Sequence, residues 1–116
     1  MSQLEQEFHI HNLRELGKKH AKALRELILL EEYKKVLKAS IMVENRVSSK
    51  GKPNSVAQQE TLALADERYK DHIKLLADAT SLEAELKWEK RTVEINLELI
   101  KVKSYNENTE KKAYSI

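Results

Sequence analysis

Residues that interrupt helices are nearly confined to one place in this chain. Of its two glycines and one proline, Gly51 and Pro53 stand together in "NRVSSKGKPN", residues 45–54. The other glycine, Gly17, is isolated, and a lone glycine costs a helix about 1 kcal/mol relative to alanine without ending it. On either side of residues 45–54 the chain runs long without a strong breaker, in segments rich in Glu, Lys, Leu and Ala. Such segments favour helix over sheet. The expected fold is all-α: an elongated antiparallel hairpin of two long helices, about 4–45 and about 66–112. A basic loop (46–54) and a short helix (about 56–65) join them within one domain of 116 residues. A helix of about 40 residues is about 60 Å long at the usual rise, more than the diameter of a compact chain of this length.

Apolar spacing agrees with this division. In the first segment Leu13, Leu16, His20, Ala23 or Leu24, Leu27, Leu30, Leu37 and Ile41 fall on one helical face. In the last, Leu75, Ala79, Leu82, Leu86, Val93, Leu97 and Ile100 form a heptad-like seam broken by one polar turn. Ile73, Leu76, Ile95, Leu99 and Val102 widen that face beyond what one helix covers. Two helices alone bury only one side of each, which is marginal at this size. A homo-oligomer is therefore expected, with Leu75, Leu82, Leu86, Trp88, Val93, Leu97 and Ile100 at its interface. Ser55 and Gln58 have the spacing of a capping box, and Asp66 is placed to cap the last helix. The tail "NENTEKKAYSI", residues 106–116, loses the pattern and is expected to fray.

The chain has no cysteine, so disulfides and thiolate metal sites are excluded. No run of about 18 apolar residues and no leader-like opening occurs, so a cytoplasmic protein that does not enter the membrane is expected. The phosphate-loop, dinucleotide, nucleophile-elbow and HExxH motifs are absent. Carboxylates are plentiful, but Glu31–Lys35 and Asp66–Lys70 have the i,i+4 spacing of solvated helix pairs. Neither an enzyme nor a cofactor is expected. Four histidines, His9, His11, His20 and His72, raise the question of a metal. Two residues apart on a helix, His9 and His11 point in different directions, and packed or surface histidines are the simpler reading. Trp88, among Lys87, Lys90 and Arg91, is placed either to stack on a base or to anchor a helix interface, with packing favoured.

The net charge of +2 is small, but it is unevenly spread. Residues 33–56 carry Lys34, Lys35, Lys38, Arg46, Lys50 and Lys52 against Glu44 alone. Lys34 and Lys38 share a helical face, and the other cations extend it into the loop. Read by composition, the cluster is the solvated end of a helix. Cations beside a rigid helix can also follow a phosphate backbone and gain affinity from counterion release. Assembly into several copies multiplies such a weak site through effective concentration.

The stretch "KKVLKASIMVENRVSSKG" resembles a segment of the UvsY-like recombination mediators of T-even-type phages. There two lysines, an aliphatic run and a Lys-Ala-Arg triplet lead into a basic Ser/Gly loop. "LADERYKDHIKLL" resembles the start of that family's second long helix, and the order of parts agrees from about Leu27 to Val102. The resemblance implies a ring-shaped homo-oligomer that binds single-stranded DNA. It also implies a RecA-like recombinase and a single-strand-binding protein as partners, and the host cytoplasm as location. The triplet falls on Lys38 and Ala39, but its arginine is Ser40 here. Either Arg46 and the loop lysines take over, or the chain binds DNA weakly or not at all. The rival reading is a helical oligomeric interaction factor (virion, scaffold or anti-defence) whose function lies in its apolar stripes. A duplex DNA or RNA binder is a third.

Overall fold

The structure is a computed structural model and describes residues 3–114. Three helices account for its regular structure: α1 (Gln3–Glu44), α2 (Val56–Ala65) and α3 (Glu67–Tyr114). Among the described residues there is no strand, only one isolated bridge between Val47 and Pro53. The all-α expectation is met. Helix α3 runs to Tyr114, two residues past the expected end near 112, although the apolar pattern has ended by residue 106. No breaker interrupts it, and Thr109 donates its hydroxyl back to the carbonyl of Tyr105 at 2.9 Å. Residues 115–116 lie outside the described residues.

The junctions follow from local chemistry. Ser55 closes a capping box: its hydroxyl accepts from the Gln58 backbone N–H at 3.1 Å, and the Gln58 side chain accepts from the Ser55 N–H at 2.9 Å. Each satisfies a donor that the first turn of α2 leaves open. Asp66 adopts an extended backbone, which ends α2. Its carboxylate then accepts from the Arg68 N–H at 2.8 Å, opening α3 as an N-cap.

The chain divides into two compact units, each of which takes part of α1 and part of α3. One unit comprises residues 23–83. Its core is small: Ala23, Leu27, Ile41 and Ala63 are buried, together with His72. His72 donates through Nε2 to the main-chain carbonyl of Leu30 at 2.7 Å, and its ring meets Tyr33 edge-on at 5.2 Å. A buried imidazole is tolerated because its polar atom is satisfied. On α1 the inward residues of this unit are Ala23, Leu27, Leu30, Lys34, Leu37 and Ile41, at steps of three and four. Ala23 rather than Leu24 takes the inward place, and Leu24 is exposed. On α3 Leu76 and Ala79 face inward, while Leu75 and Leu82 do not.

The other unit comprises residues 1–22 and 84–116. Its two helical segments run antiparallel. Leu16 shares a hollow with Glu85, Trp88 and Val93, whereas His9 shares one further along α3 with Asn96, Ile100 and Lys103. Leu86, Val93 and Leu97 are half-buried and Ile100 is buried. Lys90 donates to Nδ1 of His20 at 3.4 Å, placing a polar pair among these apolar residues.

Candidate nucleic-acid interface

The segment expected to be a basic loop, residues 46–54, is a hydrogen-bonded hairpin turn. Ser48 N–H donates to the Lys52 carbonyl at 2.7 Å, and Gly51 N–H to the Ser48 carbonyl at 2.9 Å. Asn54 N–H closes the base on the Arg46 carbonyl at 2.9 Å. Gly51 has φ 76, the left-handed conformation that follows the tight turn of a three-residue hairpin and that glycine alone adopts cheaply. Side chains finish the work: Asn54 donates to the Asn45 carbonyl at 2.8 Å, and Ser48 Oγ accepts from Lys52 N–H at 3.2 Å. Ser48 was not singled out from sequence. The Ser-x-x-Gly spacing after an asparagine is the signal that carries the turn.

The six candidate cations fall into two groups. Arg46, Lys50 and Lys52 are exposed on the hairpin, and among the described residues no carboxylate forms an ion pair with them. The α1 lysines are placed otherwise. Lys34 is half-buried on the inward side. Lys35 pairs with Glu32 at 3.2 Å, three residues back, instead of with Glu31 as the i,i+4 spacing suggested. Lys70 likewise pairs with Glu67 at 3.7 Å instead of with Asp66. Lys38 reaches across to Glu60 on α2 at 2.8 Å. That hydrogen bond holds Lys38 above the ordinary lysine value and Glu60 below the ordinary carboxylate value.

Next to this pair, Arg68 ties the start of α3 to the end of α1. It donates to both carboxylate oxygens of Glu44, at 3.1 Å to the first, and also to Asp66 at 3.1 Å. Both carboxyls are held below their usual range by hydrogen bonds from Arg68. Asp66 is therefore engaged in capping and pairing, and Glu44, the one acid of the cluster, is turned to Arg68.

The residues expected at an interface between copies also divide. Leu86, Val93, Leu97 and Ile100 are covered within a single chain, in whole or in part, whereas Leu75, Leu82 and Trp88 stay exposed. The heptad spacing identified a seam, and the chain itself uses part of it. Trp88, beside Leu16, is left 72% exposed by its own chain. It lies in the unit of residues 1–22 and 84–116, while the basic hairpin lies in the unit of residues 23–83.

No described helix is long and apolar enough to cross a membrane, and no group of three or more His, Asp or Glu among the described residues could hold a metal ion. Fold and site together define an all-helical chain that displays a basic hairpin turn between two long helices. Comparison with family models, curated proteins and solved structures finds no match to this chain.

Proposed function

We propose that this chain is a non-enzymatic single-stranded DNA-binding accessory protein of the recombination-mediator type, acting as an assembly of copies in the cytoplasm. The observation that carries the reading is the hairpin of residues 46–54: Arg46, Lys50 and Lys52 are exposed on a hydrogen-bonded turn and, among the described residues, have no carboxylate partner. Cations free of internal partners can replace the counterions of a phosphate backbone, and the affinity then falls steeply with salt. The helix lysines contribute less, because Lys35 and Lys38 are already paired. The recombinase-loading part of the reading, with a RecA-like recombinase and a single-strand-binding protein as partners, is supported by the resemblance described above. Fluorescence anisotropy with labelled oligo-dT tests the binding: saturable, salt-sensitive binding with little sequence preference is expected. No binding at low salt rejects the reading.

A second reading is favoured by the large exposed apolar residues, which include Leu29, Val36, Trp88 and Leu99. In it the chain is a helical interaction factor and its cations only keep it in solution. A protein partner captured equally well after Arg46, Lys50 and Lys52 are neutralised supports this second reading.

A further inference from the structure

Helix α1 carries a second stripe, turned away from its inward one. Leu29, Glu32, Val36, Ala39 and Val43 recur at steps of three, four, three and four, and all are exposed. Leu29, Val36 and Val43 are 57%, 58% and 53% exposed, more than half of each side chain left in water. Helix α3 carries a counterpart: Trp88, Thr92, Ile95, Leu99 and Val102, at steps of four, three, four and three, again all exposed. Both have the spacing of a coiled-coil seam. Contiguous apolar surface of this kind marks an association site more often than a solvated face.

We propose that these two seams pair with each other between copies of the chain, antiparallel, with α1 of one copy lying against α3 of the next. It rests on the assembly part of the function proposed above and not on its DNA-binding part. Read in reverse, the steps on α3 become three, four, three and four, the order found on α1. Five layers then coincide, from Leu29 against Val102, through Val36 against Ile95, to Val43 against Trp88. Glu32 is the one charged member, and its carboxylate is already held by Lys35 at 3.2 Å.

The flanks agree as well. In this register Lys35 comes beside Glu98 and Glu26 beside Lys103, opposite in sign, and Ile28 comes beside Tyr105. No like charges meet, and such flanking pairs set partner and orientation in coiled coils. Run antiparallel against its own copy, either seam is worse matched. Reversed against itself, each order of steps is out of phase, so four layers coincide and an end residue is left over. Pairing unlike surfaces is heterologous: every copy offers one seam and accepts another, and association continues until a ring closes or a filament grows.

Two substitutions separate the seams. Val36→Glu breaks the first and Ile95→Glu the second; both positions are exposed, so circular dichroism should show the helices intact. Light scattering without nucleic acid should give several chains for the wild type and one chain for each variant. An equimolar mixture of the two variants should give a 1:1 dimer and nothing larger, since each contributes one intact seam. A variant that remains dimeric alone overturns the proposal in favour of a seam pairing with itself, and a monomeric wild type overturns it outright. Should either substitution disturb folding, a charge exchange decides. Glu26→Lys and Lys103→Glu should each lower association several-fold and together restore it; failure to restore rejects the register. Oligo-dT binding measured in parallel keeps the two ideas apart. Assembly without binding removes the nucleic-acid reading and leaves the seams standing, and binding by a monomer does the reverse.

Discussion

The cations of α1 and those of the hairpin come from one continuous basic segment, yet they meet different surroundings. On α1, regular geometry brings Glu32 within reach of Lys35, and the packing of α2 brings Glu60 to Lys38. On the hairpin, the hydrogen bonds are made by the backbone and by Ser48 and Asn54, and among the described residues Arg46, Lys50 and Lys52 pair with no carboxylate. A helix surface satisfies charge by periodicity, since three or four residues make a neighbour. A tight turn satisfies its backbone and leaves its side chains outward. The difference teaches that the number of lysines in a segment is a poor guide to how many can meet a phosphate.

The sharpest way to break this comparison is to neutralise each group in turn. Changing Arg46, Lys50 and Lys52 together to Gln keeps the backbone hydrogen bonds and removes the unpaired charge. If all three meet phosphates, the slope of log affinity against log salt becomes shallower by about 2, and affinity at low salt drops by roughly tenfold or more. The same change at Lys35 and Lys38 should cost only a few-fold in the anisotropy assay. Equal losses from the two groups would erase the distinction between helix and turn.

A smaller effect is expected from the turn itself. Gly51→Ala places a Cβ in open space, since no atom beyond its two chain neighbours lies within 4 Å of it, so the cost is backbone strain alone. At φ 76 that strain is about 1–2 kcal/mol for an L-residue. Oligo-dT affinity should fall a few-fold and the thermal midpoint by a few degrees. An unchanged affinity would mean that the cations act without an ordered turn.

The smallest effect concerns pH. Glu44, Glu60 and Asp66 are all held below the ordinary carboxylate range, Glu60 by Lys38 and the other two by Arg68. A depressed carboxyl adds stability that is present above its unfolded value and disappears as pH falls through the folded one. The thermal midpoint should therefore decline on acidification below about pH 4, where unfolded carboxylates take up protons. Glu44→Gln and Glu60→Gln should flatten that decline. Because the groups are exposed, added salt should shrink it. A midpoint insensitive to pH in this window would show that these pairs contribute nothing to the fold.

Much of the helix arrangement was legible. The grouping of Gly51 and Pro53 marked the one break between long helices, and Ser55 with Gln58 marked the start of α2. The inward stripe of α1 was readable from Leu13 to Ile41. The candidate site was less so. Lys38 and Glu60 are 22 residues apart, and no local spacing connects them. Lys34 looked like a solvent-facing neighbour of Lys38, yet it falls on the inward heptad and is half-buried.

What the sequence determined by itself is where helices start and stop, because breakers and caps act through the backbone within a few residues. What only the tertiary structure decided is which face of each helix its own chain covers and which charges find partners. Leu75 and Leu76, or Val93 and Ile95, carry the same hydrophobic signal and can both satisfy a heptad. The choice between them depends on where the second helix lies, and that is set by contacts between residues tens of positions apart.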